Sequence, residues 1–387
     1  MTYLTTLRIR NFKAIRDSGP LKLGPLTVFI GNNGAGKSSA LEALQVFRNV
    51  VLDGLDTALA PFNGLAHLAH KGRWLHVTKA QIDPDKQIEP VTIALSARMD
   101  AGRFKGELAL NTRGPHGLAH DYIQREAYQL GSVKEDRDAV LGGKALGEGR
   151  SVLTPLRGLR PAYESIERWQ FITLEPTRMG APRPATRVRG RVQLAQDGAN
   201  LAGYLLDLSE RAPDAFNGVV EAMQFVLPYA RDIRPVLPQG DIDRRVYLEL
   251  AERDFRIPSW LFSSGTLRLL ALLALLRDPE GPPVIFIEEI ENGLDPRTIG
   301  LVVEEIRRGV ESAGPQVIAT THSPYLLDQL LFEHVIVVER NAKGEPDFWR
   351  PADESALASW SESFSPGQIY AMGQLHREPA NKPQGGS

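Results

Sequence analysis

The chain has 387 residues, no cysteine and a formal net charge of −2 at neutral pH. That length supports one large or two ordinary domains, and the absence of thiols excludes disulfides, thiolate catalysis and cysteine-held zinc, which fits a reducing cytoplasm. The near-zero charge excludes a global attraction to nucleic acid or an anionic membrane, so any such binding has to come from a local patch. Residues 1–10 alternate as a strand does and lack the apolar core of a signal peptide. Leu26–Ile30 reads as a buried strand, and residues 39–47 carry helical apolar spacing. Strand patterns follow at 75–79, 91–97, 103–110 and 122–130. From 131 to 165, glycine, charge and weak periodicity predict a loop-rich or short-helical insert. Helical spacing returns at 201–208 and 219–225, and beyond 256 helix and strand alternate. The longest apolar run, residues 269–276, is too short to span a bilayer, which predicts a soluble, cytoplasmic protein without a membrane partner. There is no heptad run, and residues 376–387 read as a disordered polar tail.

Between the buried strand and its helix stands Gly31-Asn32-Asn33-Gly34-Ala35-Gly36-Lys37-Ser38. Glycines let the backbone wrap inward, so that successive N–H groups and the helix N-terminus point at phosphate oxygens. In this pattern Asn32 to Ser39 line the phosphates, Lys37 reaches the β- and γ-phosphates, and the Ser38 hydroxyl ligates Mg²⁺. By average composition, a chance match in a chain of this length has a probability of roughly 1%. The pattern predicts binding of a nucleoside triphosphate.

A second constellation lies near residue 290. Pro283-Val284-Ile285-Phe286-Ile287 is a short apolar run ending in Glu288-Glu289. A buried strand that delivers carboxylates at its C-terminal end is the usual partner of a phosphate loop, because ligands sit outside strand C-termini. Glu288 is then expected to hold Mg²⁺, and Glu289 to polarise the attacking water. Upstream, Phe262-Ser263-Ser264-Gly265-Thr266 opens an apolar helix; it reads either as a capped core helix or as a second phosphate-binding surface. Downstream, Glu291-Asn292-Gly293-Leu294-Asp295-Pro296 is a turn ending in an Asp N-cap and an N1 Pro, with Ile299, Val302, Val303 and Ile306 on one face of the helix that follows. Residues 316–321 read as a strand ending at His322, a structural histidine or a γ-phosphate contact.

Taken in order, these pieces resemble the ATP-binding-cassette class of ATPase, and within it the soluble heads of the SMC, RecF and OLD-like group. The resemblance is carried by residues 7–15 followed by the phosphate loop, by Ser263-Ser264-Gly265-Thr266 as signature motif, Glu288-Glu289 as the Walker B end, 292–295 as the D-loop and His322 as the switch histidine. Asp197-Gly198-Ala199-Asn200-Leu201-Ala202 resembles a turn-helix element of the predicted-ATPase branch of the group, within which the short stand-alone AAA-family ATPases match best in size and motif wording. It implies an α/β P-loop NTPase of the ABC-head type, with a mixed β-sheet lobe and a helical insert lobe. The expected domains are a composite core of 1–135 and 256–345, an inserted lobe 136–255, a C-terminal extension 346–375 and the tail 376–387. Two departures stand out: Ser264 replaces a signature glycine, and Glu288 stands where the class usually has Asp. The Q-loop glutamine is not fixed by the pattern, Gln81 and Gln170 being the candidates.

The resemblance also implies a mechanism. The cofactors are ATP and Mg²⁺; Glu289, His322 and Lys37 are the catalytic set; Ser263 reaches across a homodimer that sandwiches two nucleotides, with Gly265 and Asp295 as further nucleotide contacts. The chain has no coiled-coil arm and too few residues after His322 for a TOPRIM nuclease domain. That leads to an ATPase controlling a separate effector, a nuclease or toxin, in prokaryotic defence or genome maintenance. The alternatives are a RecF-like DNA clamp and a nucleotide-dependent scaffold with little turnover. Arg178, Arg183, Arg187, Arg189 and Arg191, with no acid among them, form the candidate DNA patch, or else an ordinary arginine-rich loop.

Overall fold

A computed structural model describes residues 2–70, 89–113, 120–137, 149–153, 156–184, 191–238, 244–312, 314–354 and 364–375. The strand expected at 75–79, Gln81, Arg187, Arg189 and the tail 376–387 lie outside these residues.

Among the described residues the chain forms three sheets. The central one has six strands in the order Pro346–Trp349, Val335–Arg340, Leu26–Ile30, Gln316–Thr321, Val284–Ile287, Gln170–Ile172. Its pairs are parallel except for Pro346–Trp349, which runs antiparallel to Val335–Arg340. The strands are almost wholly apolar because both faces are covered, and their period of two divides the side chains between two cores. Val28, Ile285, Ile287, Val317, Ala319, Val335 and Val337 pack into one core, whereas Phe29, Val284, Phe286, Ile318, Ile336 and Val338 pack into the other.

The first core is closed by the helices Leu201–Arg211, Pro213–Val226, Ser264–Arg277 and Pro296–Glu311. Ser264–Arg277 is apolar on all sides from Leu269 to Leu276, so it lies at the centre with neighbours all round. Pro296–Glu311 is amphipathic and buries Ile299, Val302, Val303 and Ile306, the face read from its sequence. The second core holds the helix Lys37–Asp53 between the central sheet and a seven-stranded antiparallel sheet. That sheet runs Ile15–Asp17, Tyr3–Phe12, Val91–Met99, Gly102–Arg113, His120–Leu130, Val133–Asp136, with Leu21–Lys22 also paired to Tyr3–Phe12. A third, small antiparallel sheet comprises Arg183–Pro184, Arg245–Ala251, Asp232–Val236 and Arg256–Pro258.

Residues 136–255, expected as a helical or loop-rich insert, also carry strands. Gln170–Ile172 pairs in parallel with Val284–Ile287 and is therefore part of the central sheet. Three residues are too short to leave a periodic signature in the sequence.

Two buried polar side chains bind these elements together. Gln316 accepts a hydrogen bond from Leu4 N–H at 2.7 Å and donates to the Leu4 and Gly24 carbonyls at 2.8 Å each, which joins the antiparallel sheet to the central one. Asp278 accepts from Tyr204 Oη (2.7 Å), Arg191 (2.5 Å) and Arg211 (2.5 and 2.8 Å). Burial pushes the Asp278 carboxyl upward, but the hydrogen bonds from Arg211 and Tyr204 and the charges of Arg191 and Arg211 outweigh it and hold it below the usual carboxylate range.

Gln316→Leu strips partners from buried backbone groups of Leu4 and should cost about 3 kcal/mol of stability, read as a shift of the denaturant midpoint. Because the folded Asp278 pKa is depressed, its contribution is present above the ordinary Asp value of about 4 and fades as pH falls below it. Asp278→Asn should therefore destabilise the protein at pH 7, with the gap to wild type narrowing on acidification; a gap independent of pH would contradict this.

Candidate functional site

The parallel register brings four strand ends to one edge. Ile30 pairs with Thr321, and Ile287 with both Ala319 and Ile172. The segments beginning at Gly31, Thr173, Glu288 and His322 therefore leave the sheet side by side, where open α/β sheets hold ligands.

The phosphate loop is shaped by close approach as much as by glycine freedom. A Cβ on Gly31 would overlap the Val338 carbonyl oxygen, and one on Gly36 (φ 117°) would lie 2.8 Å from Pro346 Cγ. Asn32, Asn33, Gly34 and Ser38 are exposed, Ser39 is half-buried and Ala35 is buried with its N–H bonded to the Asn32 carbonyl. Lys37 opens the helix Lys37–Asp53 and is buried. Its ammonium donates to the Gly31 carbonyl at 2.6 Å and the Asn32 carbonyl at 3.1 Å, so the loop curls around its own lysine. Desolvation pulls the Lys37 pKa down, and the negative charges of Glu289 and Glu291 oppose that. From the neighbouring strand, Arg340 donates through Nε (3.1 Å) and Nη2 (2.5 Å) to the Gly34 carbonyl and steadies the loop tip.

The acidic turn is strained. Glu289 has φ +46°, a left-handed conformation that costs a non-glycine residue on the order of 1–3 kcal/mol. Buried Thr320 holds it there: its Oγ1 accepts the Glu289 N–H at 2.9 Å and its carbonyl the Ile290 N–H at 3.2 Å. The Glu289 side chain is 48% exposed, with Oε1 4.0 Å from His322 Nδ1 and Oε2 3.5 Å from Asn292 Nδ2. Glu288 lies beside Thr173, whose Oγ1 is 3.5 Å from Glu288 Oε2. Glu291 is buried, and its Oε1 accepts the His322 N–H at 2.9 Å.

Ser263 and Asp295 are both helix caps. Ser263 Oγ accepts from Thr266 N–H at 3.1 Å, and Asp295 accepts from Arg297 and Thr298 N–H at 2.9 and 3.2 Å. A Cβ on Gly265 would sit 2.8 Å from the Gly293 carbonyl oxygen, so the Ser263–Thr266 turn packs on the 292–295 turn of its own chain. Arg268, one turn along the same helix, packs against Gly293 and lies within the field of Glu289.

Of the two glutamines expected near the site, Gln170 is buried at the start of its strand with its amide donated to the Leu194 carbonyl, remote from the ligand edge. The glutamine at that edge is Gln196. Its carbonyl accepts the Thr173 N–H at 2.8 Å, its Nε2 lies 3.5 Å from Thr173 Oγ1, and its Oε1 accepts from Gln45 at 3.1 Å. Its position just before Asp197-Gly198-Ala199-Asn200 is the one signal the sequence carried for it. In the arginine patch, Arg178 is paired with Asp197 (2.6 Å) and Arg191 with Asp278 (2.5 Å), while Arg183 is exposed.

The residue types present suit a triphosphate with magnesium: a loop whose Asn32, Asn33 and Gly34 are exposed, one buried ammonium at Lys37, and the side-chain oxygens of Ser38 and Glu288. Magnesium keeps waters and phosphate oxygens and needs few protein ligands. Among the described residues no cluster of three or more His, Cys, Asp or Glu forms a self-sufficient metal site, and no helix is long and apolar enough to cross a membrane.

The family described as "AAA domain, putative AbiEii toxin, Type IV TA system" matches residues 26–328. The chain belongs to that family. No curated protein matches it. Among solved structures, an SmcHead bound to the C-winged helix domain of ScpA is similar over 92% of this chain and 99% of that one, with a TM-score of 0.58 and 16% identity. A Smc head domain with an extended coiled coil, bound to the C-terminal domain of ScpA from Pyrococcus furiosus, covers 94% and 99% with a TM-score of 0.51 and 12% identity. The family member thus has the P-loop NTPase fold of the ABC-type, SMC-like heads.

Glu289→Gly removes the left-handed penalty and returns part of the gain through its freer unfolded chain. The variant is expected to be about 1 kcal/mol more stable than wild type by thermal or denaturant unfolding. A loss of stability instead would show that the turn is not strained.

Proposed function

We propose that the protein binds ATP with Mg²⁺ at the phosphate loop, hydrolyses it slowly as an ATP-sandwich homodimer, and uses the cycle to control a separate effector in prokaryotic defence or genome maintenance. The observation that carries the reading is the meeting of Gly31–Ser38, Glu288-Glu289 and His322 at one sheet edge, with Glu289 held in a strained conformation by Thr320.

In this reading Lys37 and the N–H groups of residues 32–39 hold the phosphates, and Ser38 and Glu288 hold the metal. Magnesium, when bound, supplies positive charge against the phosphate oxygens. Glu289 takes a proton from water at its half-exposed carboxylate, and His322 donates to or orients groups at the γ-phosphate. Gln196, beside Thr173 and Glu288, is the glutamine placed to sense that end of the ligand. Ser263, Gly265 and Asp295 lie at the starts of two helices and would complete the partner copy's site. Loss of the γ-phosphate contacts would release the dimer, a shift of population driven by differential binding.

The effector is the outermost part of the reading. It is supported by a family description that names a type IV toxin–antitoxin system, and by SMC heads solved with domains of a second protein, ScpA. The DNA-clamp alternative loses ground, since Arg178 and Arg191 of its patch are engaged within the chain.

The test is phosphate release and solution mass of wild type against Glu289→Gln, with ATP and Mg²⁺, with and without duplex DNA. Removal of a general base should lower turnover by about 10²–10⁴-fold and let ATP-bound dimers accumulate. A wild type that binds ATP without turnover, and a variant that forms no dimer, would overturn the catalytic reading. Stimulation by DNA would restore the clamp.

A further inference from the structure

Glu291 is a buried carboxylate that the mechanism above does not use. Its side chain is 8% exposed, and Oε2 is buried without a hydrogen-bond partner. Oε1 accepts the backbone N–H of His322 at 2.9 Å and lies 3.3 Å from His322 Nδ1. Among the described residues, His322 is the group within 4.0 Å with which Glu291 makes an ion-pair contact; Lys37 and Tyr370 lie farther out but within its field.

A buried charge is retained only where something compensates it. A turn-fixing role needs no charge, since a glutamine carbonyl would accept the His322 N–H as well. The carboxylate has a second target, the imidazole. Its position against the ring is rigid, because three bonds join the acidic turn to the end of Gln316–Thr321: Glu289 N–H to Thr320 Oγ1, Ile290 N–H to the Thr320 carbonyl, and His322 N–H to Glu291 Oε1. Glu289, at 4.0 Å from Nδ1, is the more distant carboxylate and the more exposed one. A carboxylate beside one ring nitrogen of a histidine places the proton there and leaves the other nitrogen for the ligand.

We infer that Glu291 is a positioning residue that fixes His322 with its proton on Nδ1, so that Nε2 is the nitrogen offered to the ligand. The inference rests on the ATPase reading for its effect on turnover, and on the 3.3 Å approach of Glu291 Oε1 to Nδ1 for its claim about the proton. Sequence reasoning passed over Glu291 because the same Glu-Asn-Gly stretch is equally good as a solvated turn.

The test uses the full chain, with Glu291→Gln, His322→Ala and the double variant assayed for kcat and KM with ATP and Mg²⁺. The tautomer of His322 is read from side-chain ¹⁵N spectra, its signals assigned by their loss in His322→Ala. Expected are an Nδ1–H tautomer in wild type, a mixed or Nε2–H population in Glu291→Gln, a kcat lower by about ten- to a hundredfold, and a KM within about twofold. In the His322→Ala background Glu291→Gln should change kcat by less than about twofold, because it acts through the missing ring. An equal loss in both backgrounds, or an Nε2–H tautomer in wild type, overturns the inference. If Glu291→Gln does not fold, the wild-type tautomer decides. A wild type without turnover refutes the ATPase reading, which Glu289→Gln tests separately, and leaves the spectra to judge Glu291.

Discussion

Burial of both faces of the central sheet is the constraint from which the rest follows. A parallel sheet covered on one side by Lys37–Asp53 and the antiparallel sheet, and on the other by four helices, has no solvated face. Its polar chemistry is therefore confined to strand ends. Period-two alternation sends Val28 and Phe29, or Phe286 and Ile287, to opposite cores, so slipping any strand by one residue would exchange both cores at once. Register is thereby fixed, and with it the adjacency of Gly31, Glu288 and His322. Gln316 carries the constraint outward, since its three hydrogen bonds set where the antiparallel sheet sits on the central one.

At the ligand edge this order is opposed by charge. Lys37, Glu289 and Glu291 share one small volume, and each is compensated differently. Lys37 is bonded to loop carbonyls, Glu289 remains half-exposed in a strained turn, and Glu291 leans on His322. Thr320, entirely buried on the adjacent strand, holds the Glu289 turn through its hydroxyl and carbonyl. Strain of this sort persists only where surrounding packing over-determines it, and both cores abut this edge.

The parts of this arrangement that were legible in the sequence are those written locally. A glycine-rich loop between an apolar strand and a helix, an apolar run ending in two glutamates, and the Asp295-Pro296 helix start each fall within a short contiguous stretch. Helix faces such as Ile299, Val302, Val303 and Ile306 are legible for the same reason. What escaped depends on chain segments far apart. Gln170–Ile172 becomes a core strand only through its partner more than a hundred residues away. Gln196 reaches Glu288 by way of Thr173, Arg340 meets the phosphate loop from the neighbouring strand, and the pairs Arg178–Asp197 and Arg191–Asp278 turn an apparent basic patch into partly internal wiring. Composition marks such residues as polar but does not say what they face.

The signature turn shows how a local departure acquires a structural explanation. Relative to the pattern it resembles, the chain keeps one glycine, Gly265, and replaces the other with Ser264. Gly265 is the position where a Cβ would press on the Gly293 carbonyl, so this glycine is required by packing inside the chain whatever lies opposite. Ser264 is exposed, and nothing among the described residues demands glycine there. The first constraint is internal and has been kept. The second belongs to whatever approaches that surface, where a hydroxyl adds a donor in place of bare backbone. The substitution therefore leaves the fold of the corner intact and changes only the chemistry it presents.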